Sequence, residues 1–425
     1  MNEAPVDQAI HLSKLEDMFK CGHHLYHNGQ PDQARAIWKS VAIGKWKFCK
    51  AYGYDALKTR VLSGRWIQNI GHFIFLDAYL KLFKLGLLAD TANICLFADL
   101  YPGNRVSNNF LLELYKEHLT IRTRNDATLS ETFRATLHWL REDFEYVRLN
   151  DTEAIGMYEL VLLANDLWDR AKLPPLINIT QEIDQRGKEF LRKNGIDDND
   201  WFACVHARTP GYHPIAKGNE VSVRDSDILT YQQLFAKILE WGGKVVRLGN
   251  PNMPPVPRMR GVLDYTTIGT QDPLIDIYLA AKCKFFVGSV SGIALVANLF
   301  KVPIIQVNYA PIGERPLFRD TYWAQKGYRC LLTGAKLSFD QLREKGCLFT
   351  EHADSLRHAN VEVIDQSSEE LVDSVSYFYN HAILGREISP SDAAIQNSHA
   401  KYLDDANTIG TGKIVPANAR QFFSR

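Results

Sequence analysis

The sequence predicts an α/β protein with two doubly wound domains that face each other across a cleft. Two stretches, one from about residue 60 to 124 and one from about 201 to 308, alternate short apolar strands with amphipathic helices. Strands that alternate with helices form parallel sheets with right-handed crossovers. The length agrees, because 425 residues are enough for two or three separate hydrophobic cores.

Residues 1–50 are predicted to be helical. The segment "LEDMFKCGHHLYHNGQPDQARAIWKSVA" contains two amphipathic helices joined at Asn28–Pro31, in the manner of one tetratricopeptide-like unit. A single unit cannot form an array, because such repeats bury their apolar faces on their neighbours. We therefore interpret this segment as a helical hairpin packed on the main body, and a docking module is the less favoured alternative.

Residues 51–197 are predicted to form the first domain. In chain order they contain the strand "RVLSGRW", the helix "GHFIFLDAYLKLFKLG" ending at Gly86, the strand "ANICLFAD", the helix "NNFLLELYKEHL" and the strand "TIRTR". An asparagine before the second helix predicts an N-cap. The pattern is mostly helical from there to the proline-rich break "KLPPLINIT" and the helix "QEIDQRGKEFLRKNG".

Residues 198–385 are predicted to form the second domain. Its strands are "WFACVHAR", "KVVRLGN" and "GVLDY", and its helices include "SDILTYQQLFAKILEWGG" and "PLIDIYLAAK". The stretch "CKFFVGSVSGIALVANLFKVPIIQVN" then reads as a buried strand, a Gly/Ser turn, an apolar helix and another buried strand. The helix "SSEELVDSVSYFYNHAIL", with a serine cap and glutamates in its first turn, closes the domain.

Composition and charge exclude several classes of protein. Lys+Arg and Asp+Glu are both 49, so no net field attracts nucleic acid or an anionic membrane. Charges interrupt every apolar run before the ~20 residues of a membrane span, and the amino terminus has no signal-peptide pattern. Seven scattered cysteines without a C-x-x-C pair predict neither a disulfide framework nor a structural zinc. We expect a cytoplasmic protein with at most peripheral membrane contact and no nucleic-acid partner.

Polar and glycine residues follow three strands of the second domain, at the edge where open parallel sheets bind ligands. Arginine offers phosphate oxygens a planar fork, and a Gly/Ser turn at a helix start offers free amides under a favourable dipole. The sequence therefore predicts a diphosphate-binding edge. The residues are His206 and Arg208 after the first strand, Arg247 and Gly249 after the second, and Ser289, Ser291 and Gly292 after the third.

Each of these residues also has a structural interpretation. The Gly/Ser turn is often only a cap, Arg247 a solvated rim charge, and His206 a hydrogen-bonded histidine in a half-buried strand. Asp225 and Asp227 precede a helix, and capping is the favoured role for Asp227. The diphosphate prediction depends on all of these residues lying at one edge of the sheet, and no single residue is sufficient for it. No P-loop and no G-x-G-x-x-G motif occur, and Asp225-x-Asp227 is a weak candidate for a metal site.

The first domain offers one candidate base. Gly71 and His72 lie where a predicted strand gives way to a helix, on the expected cleft side. A histidine can accept a proton near neutral pH, although a structural role at the helix start is equally favoured. Asp77 lies roughly 140° further around the helix, so it is a weaker partner.

Four segments resemble a family of bacterial glycosyltransferases of surface polysaccharide and related glycan synthesis. They are "RWIQNIGHFIFLDAYLKLFKLG", "VHARTPGYH", "RDSDILTYQQLFAKILEWGGKVVRLG" and "FFVGSVSGIALVANLFKVPIIQVN", and the resemblance runs from about residue 60 to 385. It implies the GT-B architecture of two Rossmann-like domains, with the donor held mainly by the second. The His-x-Arg element is similar to that of fucosyltransferases, where it holds the nucleotide diphosphate. Thr209–Pro210 departs from the polar residue expected after Arg208.

The leading functional prediction is a metal-independent glycosyltransferase that takes its sugar from a nucleotide-diphosphate donor and needs no further cofactor. Arg208 and Arg247 are expected on the diphosphate, with His206 orienting Arg208 or touching the donor and His72 as the base for an inverting reaction. The acceptor is a glycan, a lipid-linked sugar or a protein. A nucleotide-sugar epimerase or hydrolase of the same fold and a non-catalytic scaffold are the alternatives.

Residues 386–425 are polar, which on composition alone favours a disordered tail. The apolar pairs Tyr402–Leu403 and Phe422–Phe423 argue against that reading. In two-domain transferases of this type the chain commonly crosses back to the amino-terminal domain at its end. The resemblance therefore implies that residues 400–425 pack across the domain junction.

Overall fold

The chain divides into two units, Met1–Leu176 and Ile177–Arg425, in the computed structural model. The structure describes residues 4–27, 30–88, 90–100, 105–209, 222–269, 271–405 and 408–423. The sequence predicted the division after residue 197. The helix Gln181–Lys193 lies instead in the second unit, where an added Cβ on Gly187 would fall 2.2 Å from the Tyr278 ring. None of the helices in these ranges combines the length and apolar character that crossing a membrane requires.

The first unit contains a parallel three-stranded sheet and a short antiparallel pair of strands. Its described α-helices range from five to 24 residues in length. In chain order the elements are α1 (Ala4–His27), α2 (Pro31–Ala51), β1 (Thr59–Ser63), α3 (Phe73–Lys84), β2 (Asn93–Phe97), α4 (Asn109–Glu113), β3 (Thr120–Arg122), α5 (Glu131–Leu140), β4 (Tyr146–Arg148), β5 (Ala154–Gly156) and α6 (Met157–Arg170).

The first-unit sheet is parallel as predicted, but it is not the doubly wound sheet that was predicted. Its strands run β1–β2–β3 in chain order. A doubly wound sheet continues on the other side of its first strand. Among the described residues, that side of β1 carries a single parallel bridge between Val61 and Arg141, because the later strands β4 and β5 pair with each other instead of joining this sheet.

Helices α1 and α2 pack against each other and against the first unit. The indole of Trp38 on α2 donates a hydrogen bond to the Phe19 carbonyl on α1 at 3.2 Å. Gly22 allows this approach, since an added Cβ would fall 2.4 Å from the Trp38 indole nitrogen. Phe48 of α2 stacks on Trp139 of α5, with ring centroids 3.5 Å apart. Leu15 of α1 and Phe48 of α2 are both buried in the same core cluster of the first unit.

Two predicted helix ends in the first unit are confirmed. The Asn108 side chain caps α4 by accepting a hydrogen bond from the Leu111 amide at 2.8 Å. Gly86 follows α3 with φ +75°, a conformation that glycine adopts without steric cost.

The second unit is built around one large parallel sheet. After α7 (Gln181–Lys193), its elements are β6 (Phe202–His206), α8 (Gln232–Glu240), β7 (Lys244–Arg247), β8 (Val262–Asp264), α9 (Pro273–Lys282), β9 (Phe285–Gly288), α10 (Gly292–Leu299), β10 (Ile304–Tyr309), β11 (Tyr322–Gln325), β12 (Gly327–Cys330), α11 (Phe339–Glu344), α12 (Ala353–His358), β13 (Val361–Ile364), α13 (Ser368–Phe378), α14 (Pro390–Asp405), β14 (Lys413–Ile414) and α15 (Pro416–Phe423). Strands β12 and β13 form a separate antiparallel pair.

The strand order of the large sheet is β14–β11–β10–β9–β6–β7–β8, and every neighbouring pair is parallel. The chain builds outward from β6 through β7 to β8, then returns to the other side of β6 with β9. Strands β6, β9, β10 and β11 are buried along their whole length, as expected for a parallel sheet covered on both faces. The order therefore reverses between β6 and β9, and this reversal is where such sheets leave a crevice for ligands.

The carboxyl-terminal segment belongs to the second unit. Strand β14 pairs with β11 at the edge of the large sheet. Leu403 and Phe422 are buried in the same core as Trp323, with exposed fractions of 0% and 5%. The described part of this segment is thus packed. A crossing to the first unit remains a prediction.

Candidate functional site

The carboxyl ends of β6 and β9 are joined beyond their ladder. His206 pairs with Gly288 in the last register position of the two strands. The Ser289 amide donates to the His206 carbonyl at 3.1 Å, and the Ser289 hydroxyl oxygen accepts from the Arg208 amide at 2.9 Å. Ser289 is fully buried. It therefore fixes the backbone of Arg208 at the point where the strand order reverses.

Arg208 is held at this edge by Asp225, for which the sequence suggested a capping role or, as a weak candidate, a metal site. Its Nε lies 3.4 Å from Asp225 Oδ1, and the two side chains are 16% and 6% exposed. The Lys326 ammonium, at the end of β11, donates to the Asp225 carbonyl. Burial raises the pKa of Asp225, although Arg208 and Lys326 oppose that shift. The Arg208 side chain thus has a defined position and remains partly exposed to solvent.

The start of α10 offers backbone amides beside Arg208. Ser291 is the N-cap residue, yet its side chain makes no capping hydrogen bond. Its hydroxyl oxygen is inaccessible to solvent and has no hydrogen-bond partner among the described residues. The helix begins at Gly292 and runs for eight residues. Uncapped amides at the positive end of a helix dipole are suited to an anion.

His206 is a neutral group in this setting. Its residue is 5% exposed, and burial lowers its pKa to about 3, with Arg247 and Arg208 acting in the same direction. In the part of the chain that is described, Nδ1 has no hydrogen-bond partner. A histidine with this pKa does not act as a proton acceptor at neutral pH. It can orient a neighbour or accept a hydrogen bond from a ligand.

Arg247, predicted on the diphosphate, has another role in the structure. It is fully buried, with its guanidinium 3.3 Å from Asp264 Oδ1 and donating to the Pro254 carbonyl at 3.1 Å. Asp264 Oδ2 also accepts from the Val256 amide at 2.8 Å. Arg247 therefore fixes the loop between β7 and β8. Because its guanidinium has no exposed surface and is already bonded to Asp264 and Pro254, a phosphate could reach it only if this loop opened, so we leave Arg247 out of the candidate site.

Gly249 likewise has a packing explanation. An added Cβ would fall 2.6 Å from the Met253 sulfur and 2.9 Å from Thr266 Cγ2. Its carbonyl accepts a hydrogen bond from the Gln271 side chain. Glycine is required here because the neighbouring side chains fill the space, and a ligand contact is not needed to explain it.

His72 lies beyond the carboxyl end of β1, in a 3-10 turn that leads into α3. Its Nδ1 is 2.8 Å from the Arg65 carbonyl, which can only accept, so the neutral ring carries its proton on Nδ1. Burial lowers the pKa of His72. The lone pair on Nε2 is then available to accept a proton. Asp77 is not its partner: it pairs with Lys81 at 2.6 Å.

Sequence reasoning did not find the groups that support His72. Glu145 lies 2.5 Å from Arg65 and 3.6 Å from His23 of α1, and its side chain is 11% exposed. Burial raises the pKa of Glu145. The Phe144 ring packs on His72, with centroids 4.6 Å apart. These residues are about 75 positions from His72 in the chain, and no local pattern marks them.

Asp227 performs the capping role predicted for it, accepting from the Leu229 amide at 2.9 Å. Pro210, which departs from the expected family pattern, lies outside the described residues together with the rest of 210–221. Within the described ranges, no group of three or more His, Cys, Asp or Glu residues could hold a metal ion.

No family model and no curated protein matches this chain. Several solved structures resemble it at low sequence identity. The glycosyl transferase family 9 protein from Veillonella parvula is 12% identical, with 76% of this chain and 97% of that chain covered and a TM-score of 0.39. The E. coli ADP-heptose lps heptosyltransferase II is 14% identical, with 76% and 99% covered and a TM-score of 0.43.

A third similar structure is E. coli heptosyltransferase WaaC with ADP-2-deoxy-2-fluoro heptose. It is 10% identical, with 62% of this chain and 92% of that chain covered and a TM-score of 0.32. TM-scores below 0.5 at such identities establish neither a shared fold nor a shared activity. The candidate function of this chain depends on its own residues.

Proposed function

We propose that this chain is a glycosyltransferase that moves a sugar from a nucleotide-diphosphate donor to a hydroxyl group of a glycan, a lipid-linked sugar or a protein. One observation carries the proposal: Arg208 and the uncapped start of α10 lie together where the strand order of the large sheet reverses. The resemblance of residues 201–308 to bacterial glycosyltransferases supports the same reaction class.

The chemistry requires charge stabilisation on the leaving group. When the anomeric bond breaks, negative charge develops on the departing diphosphate, and fixed donors stabilise it without reorganising. The Arg208 fork, the amides after Ser291 and the Ser291 hydroxyl are such donors. Ser289 acts through the backbone of Arg208, and neutral His206 orients the ligand without adding charge.

For an inverting reaction a base must take the proton of the acceptor hydroxyl, and we assign that role to His72. The assignment is supported by its tautomer, which leaves Nε2 free of a proton, and by a pKa lowered by burial. A neutral imidazole near physiological pH is an effective general base.

The proposal includes no metal ion and no cofactor besides the donor. An arginine and helix-end amides supply the charge stabilisation that Mg²⁺ supplies in other transferases. Transfer is therefore expected to continue after the protein is treated with EDTA and assayed without divalent cations. Loss of activity that Mg²⁺ or Mn²⁺ restores would contradict this part. We also propose a cytoplasmic location, which suits seven free cysteines.

A second candidate, a nucleotide-sugar epimerase or hydrolase, is favoured by one observation. Three carboxylates lie on loops at the same edge of the large sheet: Asp225, Glu314 and Glu351. Such enzymes act on the donor alone and require acidic groups around its sugar. Incubation with donors and no acceptor separates the candidates, because an epimerase alters the sugar and a hydrolase releases it, whereas a transferase leaves the donor essentially intact.

The direct test is binding followed by transfer. A thermal-shift screen with UDP, GDP, ADP and dTDP should identify one diphosphate that stabilises the protein, by roughly 2.7 kcal/mol at 100 times its dissociation constant. Sugar conjugates of that diphosphate, with ADP-heptose included in the panel, are then tested for transfer. The proposal fails if no diphosphate stabilises the protein, or if Arg208→Ala binds the identified one as tightly as the unaltered chain does.

A further inference from the structure

The loop after β10 leaves the large sheet at the same edge as Arg208 and Ser291. Strand β10 is the neighbour of β9, and it ends at Tyr309. Five residues later the loop carries Glu314, which the proposed function does not use. Glu314 therefore follows the carboxyl end of β10, which lies on the β9–β10–β11 side of the point where the strand order reverses.

The loop is firmly held. The Gly313 amide donates to the Leu348 carbonyl at 2.7 Å, and an added Cβ on Gly313 would fall 2.8 Å from that oxygen. Arg315, which is 8% exposed, donates to the Thr408 carbonyl at 2.9 Å and pairs with Asp404 of α14. Glu314 thus stands between two anchored residues, so its position is well defined.

Two carboxylates and one guanidinium meet around this loop. Arg224 and Glu351 form an ion pair at 3.0 Å, with side chains 30% and 47% exposed. Burial raises the pKa of Glu314 to about 7, the Glu351 carboxylate acts in the same direction, and Arg224 opposes it. The cluster has more carboxylate than cation, and it is open to solvent on the Glu351 side.

Residues 222–225 connect this cluster to Arg208 in the candidate diphosphate site. The Val223 amide donates to the Glu351 carbonyl at 3.0 Å, and the Ser222 amide donates to Asp225 Oδ2, also at 3.0 Å. Asp225 in turn pairs with Arg208. Residues 222–225 therefore run from Glu351 to Arg208, which places the carboxylates beside the candidate diphosphate site.

An exposed aromatic ring completes the arrangement. Phe349 is 56% exposed, and an added Cβ on Gly313 would fall 2.9 Å from its Cε1. The ring therefore lies against the residue that precedes Glu314, two positions before Glu351 in the chain. An aromatic face beside hydrogen-bond acceptors matches a sugar, whose C–H face is apolar and whose hydroxyl groups donate.

We propose that Glu314, Glu351 and Phe349 form the subsite for the sugar of the donor, with Arg224 holding Glu351 in place. The carboxylates accept hydrogen bonds from sugar hydroxyl groups, and Phe349 covers the apolar face of the ring. When Glu314 is ionised, the excess of carboxylate disfavours uronic acids by repulsion, and uncharged or amino sugars are selected. This proposal rests on the proposed function, since it assumes that Arg208 and α10 bind the diphosphate to which the sugar is attached.

The test compares a nucleoside diphosphate with its sugar conjugates by isothermal titration calorimetry. The probes are UDP, GDP, ADP and dTDP, each alone and as its glucose, galactose, mannose or N-acetylglucosamine conjugate, with ADP-heptose added. The variants are Glu314→Gln, Glu351→Gln and Phe349→Ala. Matched controls are Glu344→Gln and Leu332→Ala, because Glu344 is an exposed glutamate on α11 and Leu332 an exposed apolar side chain on the turn after β12.

We expect the unaltered chain to bind one conjugate at least tenfold more tightly than the corresponding diphosphate. Glu314→Gln and Phe349→Ala should each remove most of that gain and change affinity for the free diphosphate less than twofold, while the controls keep both affinities. The subsite is disproved if the gain persists in both variants, or if no conjugate shows a gain while the diphosphate binds. If no diphosphate binds at all, the proposed function itself fails, and the subsite fails with it.

Discussion

Arg208 and Arg247 lie at the carboxyl ends of neighbouring parallel strands of one sheet, yet they differ in how much of each side chain is exposed. Arg247 has no exposed surface, and its guanidinium bonds to Asp264 and to the Pro254 carbonyl. The Arg208 side chain retains 16% exposure, and its Nε lies 3.4 Å from Asp225 Oδ1. The position of an arginine at a strand end therefore does not by itself determine its role. What distinguishes the two arginines is how completely the described residues around each side chain cover it.

The comparison separates a structural arginine from a binding arginine. The loop after β7 contains several prolines and returns to cover Arg247. After β6, the chain leaves Arg208 beside Ser289 and the start of α10. Substitutions at the two positions should thus affect different measurements.

The largest expected effect is on the stability of Arg247→Ala. Removing one partner of a buried ion pair leaves Asp264 uncompensated, and such changes cost about 3–5 kcal/mol of unfolding free energy. Urea denaturation measures it. Arg208→Ala, the matched variant after the neighbouring strand, should lose less, because the Ser222 amide and Lys326 still compensate the Asp225 carboxylate. Equal losses in the two variants would show that the difference in burial has no energetic consequence.

The next effect is on the turnover of Arg208→Ala. Deleting one donor to a developing anion typically lowers kcat by about 10²–10³, or about 2.7–4 kcal/mol. The assay is sugar transfer with the donor found in the screen. Arg343→Ala serves as a control, because Arg343 is an exposed arginine paired with Asp340. Turnover of Arg208→Ala within threefold of the unaltered chain would remove this residue from the diphosphate site.

Two serines of the Gly/Ser turn sharpen the comparison further. Ser289→Ala leaves the partly buried Arg208 amide without its acceptor, which should cost about 1 kcal/mol of stability. Ser291→Ala removes no hydrogen bond within the described residues, so its stability should change by less than about 0.5 kcal/mol while affinity for the diphosphate falls. The reverse ranking in thermal denaturation would contradict the roles assigned to them.

The smallest effect concerns pH. The pKa of His206 is about 3 in the folded chain and near 6.5 when unfolded, so the unfolded state binds more protons between these values. Stability should therefore fall as pH is lowered, by about 1 kcal/mol from this group between pH 7 and 5.5. Denaturation of His206→Gln at both pH values isolates the contribution, because the fall should be smaller in the variant. An equal fall would mean that His206 titrates normally.

The sequence predicted the alternating strands and helices of the second unit from β6 to β10, because the signals for them are local. The buried strands are continuous apolar runs, and the turns between them carry glycine, serine or aspartate at cap positions. Helix α9 has the predicted bounds, Pro273–Lys282, and Ser367 caps α13 with a reciprocal bond to Glu370. Such signals are local, so no knowledge of the tertiary fold is needed to read them.

The remainder depends on contacts between distant segments. Nothing near Arg247 in the chain indicates that Asp264 and Pro254 will enclose it. The pairing of Asp225 with Arg208 and the approach of Phe349 to Gly313 also arise only when loops from different strands meet. Strand β11 was not predicted, because its four residues lack a distinctive period and their pairing with β10 and β14 defines them.

Arg315 connects the loop that carries Glu314 to helix α14. It binds the loop that carries Glu314 to Ala400 and Asp404 of helix α14 and to Thr408 beyond the helix, so releasing the helix from this loop would break these contacts. Thermodynamic linkage is reciprocal. If the docked helix keeps Glu314 in its binding position, a bound donor must in turn keep the helix docked. The rate at which the amides of α14 exchange with deuterium then reports, from outside the site, whether the donor site is occupied.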